Sequence, residues 1–470
     1  MDYIRTEANG QLAFSFSKEF LKIPSTLCGF QNTDTIIGTS VSGREILCFE
    51  GSLNASQNDS LCPKCGTKMH INQHYTTTLR HLPFGSTLSC VRFDQIQYLC
   101  PCCHNTEMQT VPFKAVGHRI TKDLLNYTED LLSGGHYTMK EVSELTGLGR
   151  NTVKEIDKCR LQKLYTVGGT RLCKPDRYAR FLGIDEFKLH NGRRYATHII
   201  DMETGHILWI AKGKKKQVVY DFARHVGQAW MDRVEAVACD MNADFAEAFE
   251  EVCPHIQPVF DHFHIIKNFN DKVVSEVRKD EQRRLLAKGD QRAAKALKHT
   301  RYILTASRKT LIKRDKQARE QVIVHRGSPL FHTDDVIRTA GQEARYDALL
   351  KENQLLFTID IIKQKLELAY HLTSEIEMSD EIIDIMDICH ATGNRHFLWF
   401  ERLLASHFEG IIAHATYQLS SGKVEGINNK IKTLRRQGYG YPDDEYFFLK
   451  LFDLSRRTYT RNVKSHKFCA

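Results

Sequence analysis

The stretch FLGIDEFKL, Phe181–Leu189, is an apolar run with two carboxylates at its centre. Its pattern predicts a β-strand, in which successive side chains point to opposite faces. Asp185, flanked along the strand by Ile184 and Phe187, would then lie on one face and Glu186 on the other. A carboxylate in a buried strand is unfavourable unless it is paired or binds a metal ion. The stretch therefore predicts the strand of an α/β domain that carries a functional acid.

A second acid follows a second apolar strand. The segment YATHIIDMETGHILWIAKG predicts a hairpin that turns near Glu203-Thr204-Gly205, and a helix is predicted across Gln217 to Val226. VEAVACDM then predicts a strand that ends at Asp240. This order of elements is the skeleton of a ribonuclease H-like fold. In a parallel pair of strands, two such carboxylates come within bridging distance of one or two Mg²⁺ ions.

A helix predicted within SSGKVEGINNKIKTLRRQGYG, Ser420–Gly440, supplies a third acid, Glu425. Its apolar residues recur at spacings of three, four and three, which predicts a stripe that packs on a sheet. They are Val424, Ile427, Ile431 and Leu434. Amides that suit sugar or base, and cations that suit phosphate, fall with the glutamate on a neighbouring face. They are Asn428 or Asn429, Lys432, and Arg435 or Arg436.

Two close groups of cysteines predict a structural zinc site. Cys62-Pro-Lys-Cys65 and Cys100-Pro-Cys102-Cys103 fall on predicted turns within a region of short strands, residues 26–110. The 34 residues between the groups are expected to carry strands of their own. Cys103 keeps the two-residue spacing and is favoured over Cys102 as the fourth ligand. Four thiolates leave no open coordination position, so the zinc is predicted to be structural.

The segment YTMKEVSELTGLGRNTVKEIDK, Tyr137–Lys158, predicts two short helices joined by a glycine turn. Thr138 is the expected N-cap of the first helix, which carries the apolar residues Val142 and Leu145. In a helix-turn-helix the second helix enters the major groove of DNA. The alternative is an ordinary helical hairpin. The residues expected to face DNA are Arg150, Asn151, Thr152 and Lys154.

Length and charge favour a multidomain protein that binds a polyanion. The chain has 470 residues, and single cores usually stop growing by about 250–300 residues. Its formal net charge is +9, and residues 267–320 hold 17 Lys or Arg against 7 acids. From about Ile265 to Phe408 the pattern is almost wholly helical. We find no apolar run of membrane-spanning length, so a cytoplasmic protein is expected.

Three motifs resemble those of the ISL3 family of bacterial insertion-sequence transposases, and the resemblance runs from about residue 26 to 455. They are GIDEF, CDMNADFAEAFEEVCPHIQPVFDHFHIIKNFN and SSGKVEGINNKIKTLRRQGYGY. The resemblance implies that Asp185, Asp240 and Glu425 form a DDE triad. It also implies zinc at the four cysteines, Cys62, Cys65, Cys100 and Cys103.

Two further features belong to the resemblance. Asp261 and His264 match a family motif, and we expect them to support the site or position DNA without binding the metal directly. Where the family often has Ser-Asn before the glycine of the glutamate motif, this chain has Ser420-Ser421, which weakens a role for an amide there.

The expected architecture is a multidomain α/β chain. It comprises a β-rich zinc ribbon, a helix-turn-helix and a ribonuclease H-like catalytic domain interrupted by an all-helical insertion. The expected ranges are 1–110, 118–165, 175–270 for the first part of the catalytic core, 271–408 for the insertion and 409–470 for the second part.

The expected function is DNA transposition by an insertion sequence. The protein would bind the element's terminal inverted repeats and target DNA as a homodimer or higher oligomer. It would then cleave and join strands with two Mg²⁺ or Mn²⁺ ions. The alternatives are a sequence-specific DNA-binding regulator with an inactive nuclease-like domain and a structure-specific DNA nuclease.

Overall fold

The computed structural model divides the chain into two compact units, residues 1–173 and 174–470. The finer division into five ranges stays a prediction. The described residues are 27–39, 43–54, 61–190, 192, 194–241, 243–325, 341–420, 422–438 and 441–457. Parts of the expected ranges, residues 1–26, 326–340 and 458–470, lie outside them, as do Ser421, Tyr439 and Gly440 of the predicted helix segment.

A five-stranded sheet dominates the first unit. Its order is β1-β2-β4-β3, and β5 pairs with β4 outside this row of strands. The strands are β1 (Phe30–Thr39), β2 (Glu45–Leu53), β3 (His70–Phe84), β4 (Thr87–Leu99) and β5 (Thr106–Met108). As predicted, the residues between the cysteine groups carry strands. The prediction of short strands is wrong, because β3 and β4 form a hairpin of 15 and 13 residues. The buried residues Leu79, Val91 and Phe93 fill its core.

Three helices follow in the same unit: α1 (Lys122–Ser133), α2 (Met139–Thr146) and α3 (Arg150–Tyr165). The short strands β6 (Thr166–Val167) and β7 (Arg171–Leu172) come next.

The turn between α2 and α3 has the local chemistry that the sequence predicts. Thr138 and Glu141 form a capping box at the start of α2, and Gly147 adopts φ 69° at its end. Val142 is fully buried, whereas Leu145 is 40% exposed. Thr146 takes the buried position, where its hydroxyl donates to the carbonyl of Val142.

A second five-stranded sheet organises residues 174–470, in the order β10-β9-β8-β11-β12. β8 (Phe181–His190), β9 (Arg194–Asp201) and β10 (Ile207–Lys212) are antiparallel neighbours. The helices α4 (Gln217–Val226) and α5 (Gln228–Met231) then lead to β11 (Ala236–Cys239), and α6 (Ala243–Val252) leads to β12 (Gln257–Phe260). Both β11 and β12 run parallel to β8. The predicted hairpin turn and the predicted helix of Gln217 to Val226 are present.

Among the described residues, helices fill the chain between β12 and the glutamate helix, as the sequence predicts. They are α7 (His262–Asn268), a π-helix (Phe269–Val274), α8 (Ser275–Ala287), α9 (Gln291–Ala296), α10 (Arg301–Leu304), α11 (Arg308–His325), α12 (Gln342–Glu352), α13 (Gln354–Ala369), α14 (Glu375–Ala391), α15 (Arg395–Ser406) and α16 (Phe408–Tyr417). Their buried faces join the core of the sheet. Within the described ranges, no helix has both the length and the apolar character that a membrane span requires.

The glutamate helix α17 (Gly422–Gln437) lies along β8, and α18 (Asp444–Arg456) follows it. Val424 packs over Gly183 at one end of the pair, and Arg435 donates to the carbonyl of Lys188 at the other. Eleven helical residues span about 16 Å, and five strand residues also span about 16 Å. The helix and the strand therefore run side by side over the same distance. Val424, Ile427 and Ile431 are buried as predicted, and Leu434 is half-buried.

Alanine substitutions at two glycines test this packing, because they should change the stability of the fold in opposite directions. A Cβ at Gly183 would lie 2.5 Å from the sulfur of Met202 and 2.8 Å from Val424, so Gly183→Ala should overpack the contact and destabilise the fold by about 1–3 kcal/mol. A Cβ at Gly426 of α17 meets no atom within 4 Å. Gly426→Ala should stabilise the helix by about 0.5–1 kcal/mol. Thermal unfolding followed by circular dichroism measures both; equal melting temperatures for the two variants would contradict the packing.

Candidate active site and metal centre

Asp185 and Asp240 occupy equivalent positions on adjacent parallel strands. Ala236, Val237 and Ala238 of β11 pair with Phe181, Leu182 and Gly183 of β8. Continued by two residues, this register places Asp240 opposite Asp185. Residues opposite each other on neighbouring strands, about 4.8 Å apart, project from the same face. The edge of the sheet thus carries two carboxylates side by side.

Backbone N–H groups orient both carboxylates in the same way. The N–H of Glu186 donates to Oδ1 of Asp185 at 2.7 Å, and the N–H of Met241 donates to Oδ1 of Asp240 at 2.7 Å. Each acid therefore has one oxygen held by a backbone N–H.

Asp240 has an additional partner, His264, in the first turn of α7. Nδ1 of His264 lies 2.9 Å from Oδ1 of Asp240. Burial alone would raise the pKa of Asp240, but the hydrogen bond and charge of His264 lower it below its ordinary value. Burial lowers the pKa of His264, and the contact with Asp240 outweighs it and raises that pKa. The pair favours an ionised Asp240, whose side chain is 46% exposed.

Asn428 of α17 connects Asp185 to a buried histidine. Its Nδ2 donates to Oδ2 of Asp185 at 2.5 Å, and its Oδ1 lies 2.9 Å from Nε2 of His198. Burial lowers the pKa of His198, which stacks on Phe187. A neutral His198 that donates to Asn428 fixes which way the amide faces. The sequence predicted Asn428 as a DNA contact; its amide instead faces protein partners in this structure.

Glu425 lies one turn before Asn428 and is exposed. Residues three apart on a helix have Cβ atoms about 5–6 Å from each other, so the Glu425 carboxylate lies within reach of the Asp185 edge. Asp185, Asp240 and Glu425 do not form a closed cluster. Over the described part of the chain, only the four cysteines bring three or more metal-binding atoms within 4.8 Å of one another.

Four of the five cations of α17 divide into two groups, and the fifth, Lys430, is half-buried. Lys423 donates to the carbonyls of Met202 and Glu203, and Arg435 donates to the carbonyl of Lys188 at 2.5 Å, so both tie the helix to the sheet. Lys432 and Arg436 are exposed.

A third aspartate, Asp261, directly follows the next strand and is the N-cap of α7. Ala236 of β11 pairs with Gln257 of β12, and the same register places Asp261 opposite Asp240. Asp261 is only 7% exposed.

The surroundings of Asp261 come from distant helices. The ring of Tyr370 lies 4.8 Å from the rings of His262 and His414. Burial, and then the charge of Asp261, raise the pKa of Tyr370, while burial lowers the pKa of both histidines. Asp261 therefore lies among neutral partners inside the fold, where it joins the sheet to the helical segment.

The four cysteines lie at the ends of two matching knuckles. The N–H of Gly66 donates to the carbonyl of Cys62, and the N–H of His104 donates to that of Cys100. Both knuckles end in a left-handed residue, with φ 71° at Gly66 and 56° at His104. The Sγ atoms are 3.4 Å apart for Cys62–Cys103, 3.5 Å for Cys65–Cys100 and 3.6 Å for Cys65–Cys103. Cys102 is exposed and is not part of this cluster.

This geometry fits Zn²⁺. Tetrahedral Zn–S bonds of about 2.3 Å separate the sulfurs by about 3.8 Å. Hydrogen bonds from the side chain and backbone of Thr67 lower the pKa of Cys65 to about 6. At Cys103 the backbone of Asn105 favours the thiolate, but the neighbouring thiols outweigh it and raise the pKa to about 12. Several thiolates this close together require a cation between them.

The predicted DNA-facing residues lie at the start of α3. Arg150 and Asn151 are exposed, and Thr152 and Lys154 are half-buried. Val153 and Ile156 point into the core of the three helices.

Comparison with known proteins identifies the family. Residues 182–451, which include Asp185, Asp240 and α17, match the ISL3-type DDE family, described as Transposase. The chain belongs to the ISL3 family of DDE transposases. A transposase for insertion sequence element IS1001 of Bordetella parapertussis is 27% identical over 394 residues, which cover 83% of this chain and 87% of the relative. A transposase for element IS1557 of Mycobacterium tuberculosis is 24% identical over 270 residues, 57% of this chain and 58% of the relative.

Membership confirms the prediction of an insertion-sequence transposase, an enzyme of the DDE type that acts on DNA and uses divalent metal. Sequence reasoning missed His198 in this transposase. The signal was present, because a histidine within the apolar strand YATHIID is a buried polar group that needs a partner. Its partner is more than 200 positions away, and no local pattern names it.

The bridge made by Asn428 predicts a metal-dependent phenotype. Asn428→Ala removes the hydrogen bond that holds Asp185, so the Mg²⁺ concentration for half-maximal cleavage of element-end DNA should rise about tenfold or more. Gln437→Ala, which alters an exposed amide in the last turn of the same helix, is the control and should behave as wild type. An unchanged Mg²⁺ requirement in Asn428→Ala would rule out the positioning role.

Proposed function

We propose that Asp185, Asp240 and Glu425 are the catalytic carboxylates of this transposase, and that they act on the ends of its own insertion sequence. The observation that carries the proposal is the parallel register, which sets Asp185 opposite Asp240 at the edge where α17 crosses the sheet. A carboxylate in the middle of β8, one directly after β11 and an exposed helix glutamate supply the oxygen ligands that Mg²⁺ or Mn²⁺ prefers. A ribonuclease H-like catalytic core is the fold that this arrangement supports.

Each carboxylate has a distinct place in this proposal. Asp185 is held by the Glu186 N–H and by Asn428, and Asp240 by the Met241 N–H and His264. Both carboxylates keep oxygen lone pairs that can bind a metal ion. Glu425 extends from α17 toward the same place. When two Mg²⁺ ions are bound by such acids, they activate the attacking oxygen and stabilise the leaving oxygen of an in-line displacement.

The surrounding residues would hold the DNA strand. Lys432 and Arg436 are exposed on α17 and suit phosphate contacts. Arg435 donates one N–H to the carbonyl of Lys188, and its guanidinium has further N–H donors. Because the two ends of an element are joined to target DNA together, we expect a homodimer or higher oligomer on DNA.

For sequence recognition we propose the helix pair α2–α3. The glycine turn directs the start of α3 outward, and that helix begins at Gly149 without a side-chain cap. Its first N–H groups are thus available to phosphate, while Arg150 and Asn151 present the donors that read bases in the major groove. Thr152 and Lys154 flank them.

For the cysteine cluster we propose a structural zinc ribbon. The sulfur spacing and the matching knuckles support a closed four-thiolate site. In such a site the metal links the end of the β3–β4 hairpin to the turn at Cys62, above the small core formed by Met69 and Tyr98.

Removal of a carboxylate tests the active site. Asp185→Asn and Glu425→Gln should each abolish Mg²⁺-dependent cleavage of end-containing DNA, because each removes a ligand charge at the metal edge. Binding of the same DNA in a gel-shift assay should persist. Glu352→Gln, which alters another exposed helix glutamate, should cleave normally. Full cleavage by either active-site variant would refute the triad.

Metal content tests the cysteine cluster. Cys103→Ser should reduce bound zinc from one ion per chain to near zero, measured by elemental analysis of the purified protein, and should lower its melting temperature. Cys102→Ser is the matched control next to it and should keep the zinc. The assignment fails if Cys102→Ser loses the metal and Cys103→Ser retains it.

A further inference from the structure

A cavity of about 690 Å³ lies beside the proposed active site, between α7, the π-helix and the segment around α10. Phe263 and Tyr302 line it, and their side chains are 50% and 51% exposed. Lys267, Asn270 and Arg301 contribute polar groups to its walls. Its volume is in the range of small-ligand sites, about 300–1,000 Å³.

The first turn of α7 joins this cavity to the catalytic edge. His264, which contacts Asp240, lies directly after Phe263, and their rings meet edge to face at 5.4 Å. The charge of Lys267 acts on both Asp240 and His264. One helical turn thus presents a carboxylate partner to one side and an aromatic ring to the cavity.

The polar groups of the cavity are not equally occupied. Arg301 forms an ion pair with Asp271 at 2.8 Å. Lys267 has no carboxylate within 4 Å among the described residues, so it can take a phosphate. The Oδ1 atom of Asn270 is buried and accepts no hydrogen bond from the described residues. Asn270 lies in the π-helix, a distortion of the kind often found at functional sites.

These features suit a nucleobase. Exposed aromatic rings stack on any base, and a nearby cation holds its phosphate. We propose that this cavity binds one unpaired base of the DNA strand next to the bond that the transposase cuts. The proposal rests on the active site proposed above, because that site brings the strand to α7. Stacking in the cavity would offset the cost of removing the base from the duplex.

A double-mutant cycle, which combines removal of a DNA base with removal of an aromatic ring, tests the proposal. End-containing DNA is prepared intact and as a set in which each nucleotide near the cut is abasic in turn. Binding is measured without metal in the Asp185→Asn background, where no DNA is cut. Phe263→Leu keeps an apolar side chain but removes the stacking, so it should weaken binding to intact DNA about tenfold or more. On DNA abasic at one position, the same substitution should have no effect.

Matched variants separate stacking from folding. Tyr302→Leu should repeat the result at the same position, and Phe263→Tyr should restore binding. Phe357→Leu alters an equally exposed ring, on α13 away from the cavity, and should bind as the parent does. Because these side chains are half-exposed, the substitutions should leave the fold intact, and melting curves check that they do.

Two outcomes would overturn the proposal. Phe263→Leu could bind intact DNA normally, or it could weaken intact and every abasic DNA equally; the second result would indicate a protein contact or a backbone contact. Neither outcome affects the active site, whose test is the cleavage activity of Asp185→Asn. Conversely, cleavage by Asp185→Asn would refute the triad and leave the binding cycle interpretable.

Discussion

Parallel pairing between β8, β11 and β12 decides which carboxylates share one edge of the sheet. A shift of one residue between β8 and β11 would move Asp240 away from Asp185 and onto the other face. The register is held by buried residues on both faces, such as Leu182, Val237 and Val259. The site therefore depends on the hydrophobic core that fixes strand alignment, before any contact between the acids themselves.

The same register places a third aspartate where helices pack against the sheet. Asp261 continues the row of aspartates, but it is buried among Tyr370, His262 and His414, which come from helices on both sides of a long stretch of chain. The third acid of the row thus serves to attach helices to the sheet. On the other side of the row, Asp240 stays 46% exposed.

The glutamate helix shows how a distant segment completes this edge. Its apolar stripe packs on β8, and the absence of a side chain at Gly183 lets Val424 come close enough for Asn428 to reach Asp185. The helix also brings cations, some of which hold it to strand carbonyls while others stay exposed. A single amphipathic helix thus anchors itself, orients Asp185 and carries exposed cations.

The sequence alone determined the strand at Phe181–Leu189, the helix at Gln217 to Val226, the capped helix pair, the cysteine spacing and the apolar stripe of α17. These depend on periodicity and on neighbours a few residues away, so they can be read locally. The lengths of β3 and β4, the exposure of Leu145 and the pairing of Asn428 with His198 could not be read in this way. They depend on which residues face each other across the fold.

The same distinction applies to the functional groups. The sequence named the acids, the thiols and the cations, because their chemistry is carried by residue type. Only the tertiary structure decided that Asp185 and Asp240 are opposite each other, that Cys103 and not Cys102 lies among the thiols, and that the cavity beside α7 adjoins His264. The physical reason is that strand register and helix packing are set by burial of apolar surface across hundreds of positions, and no short stretch contains that information.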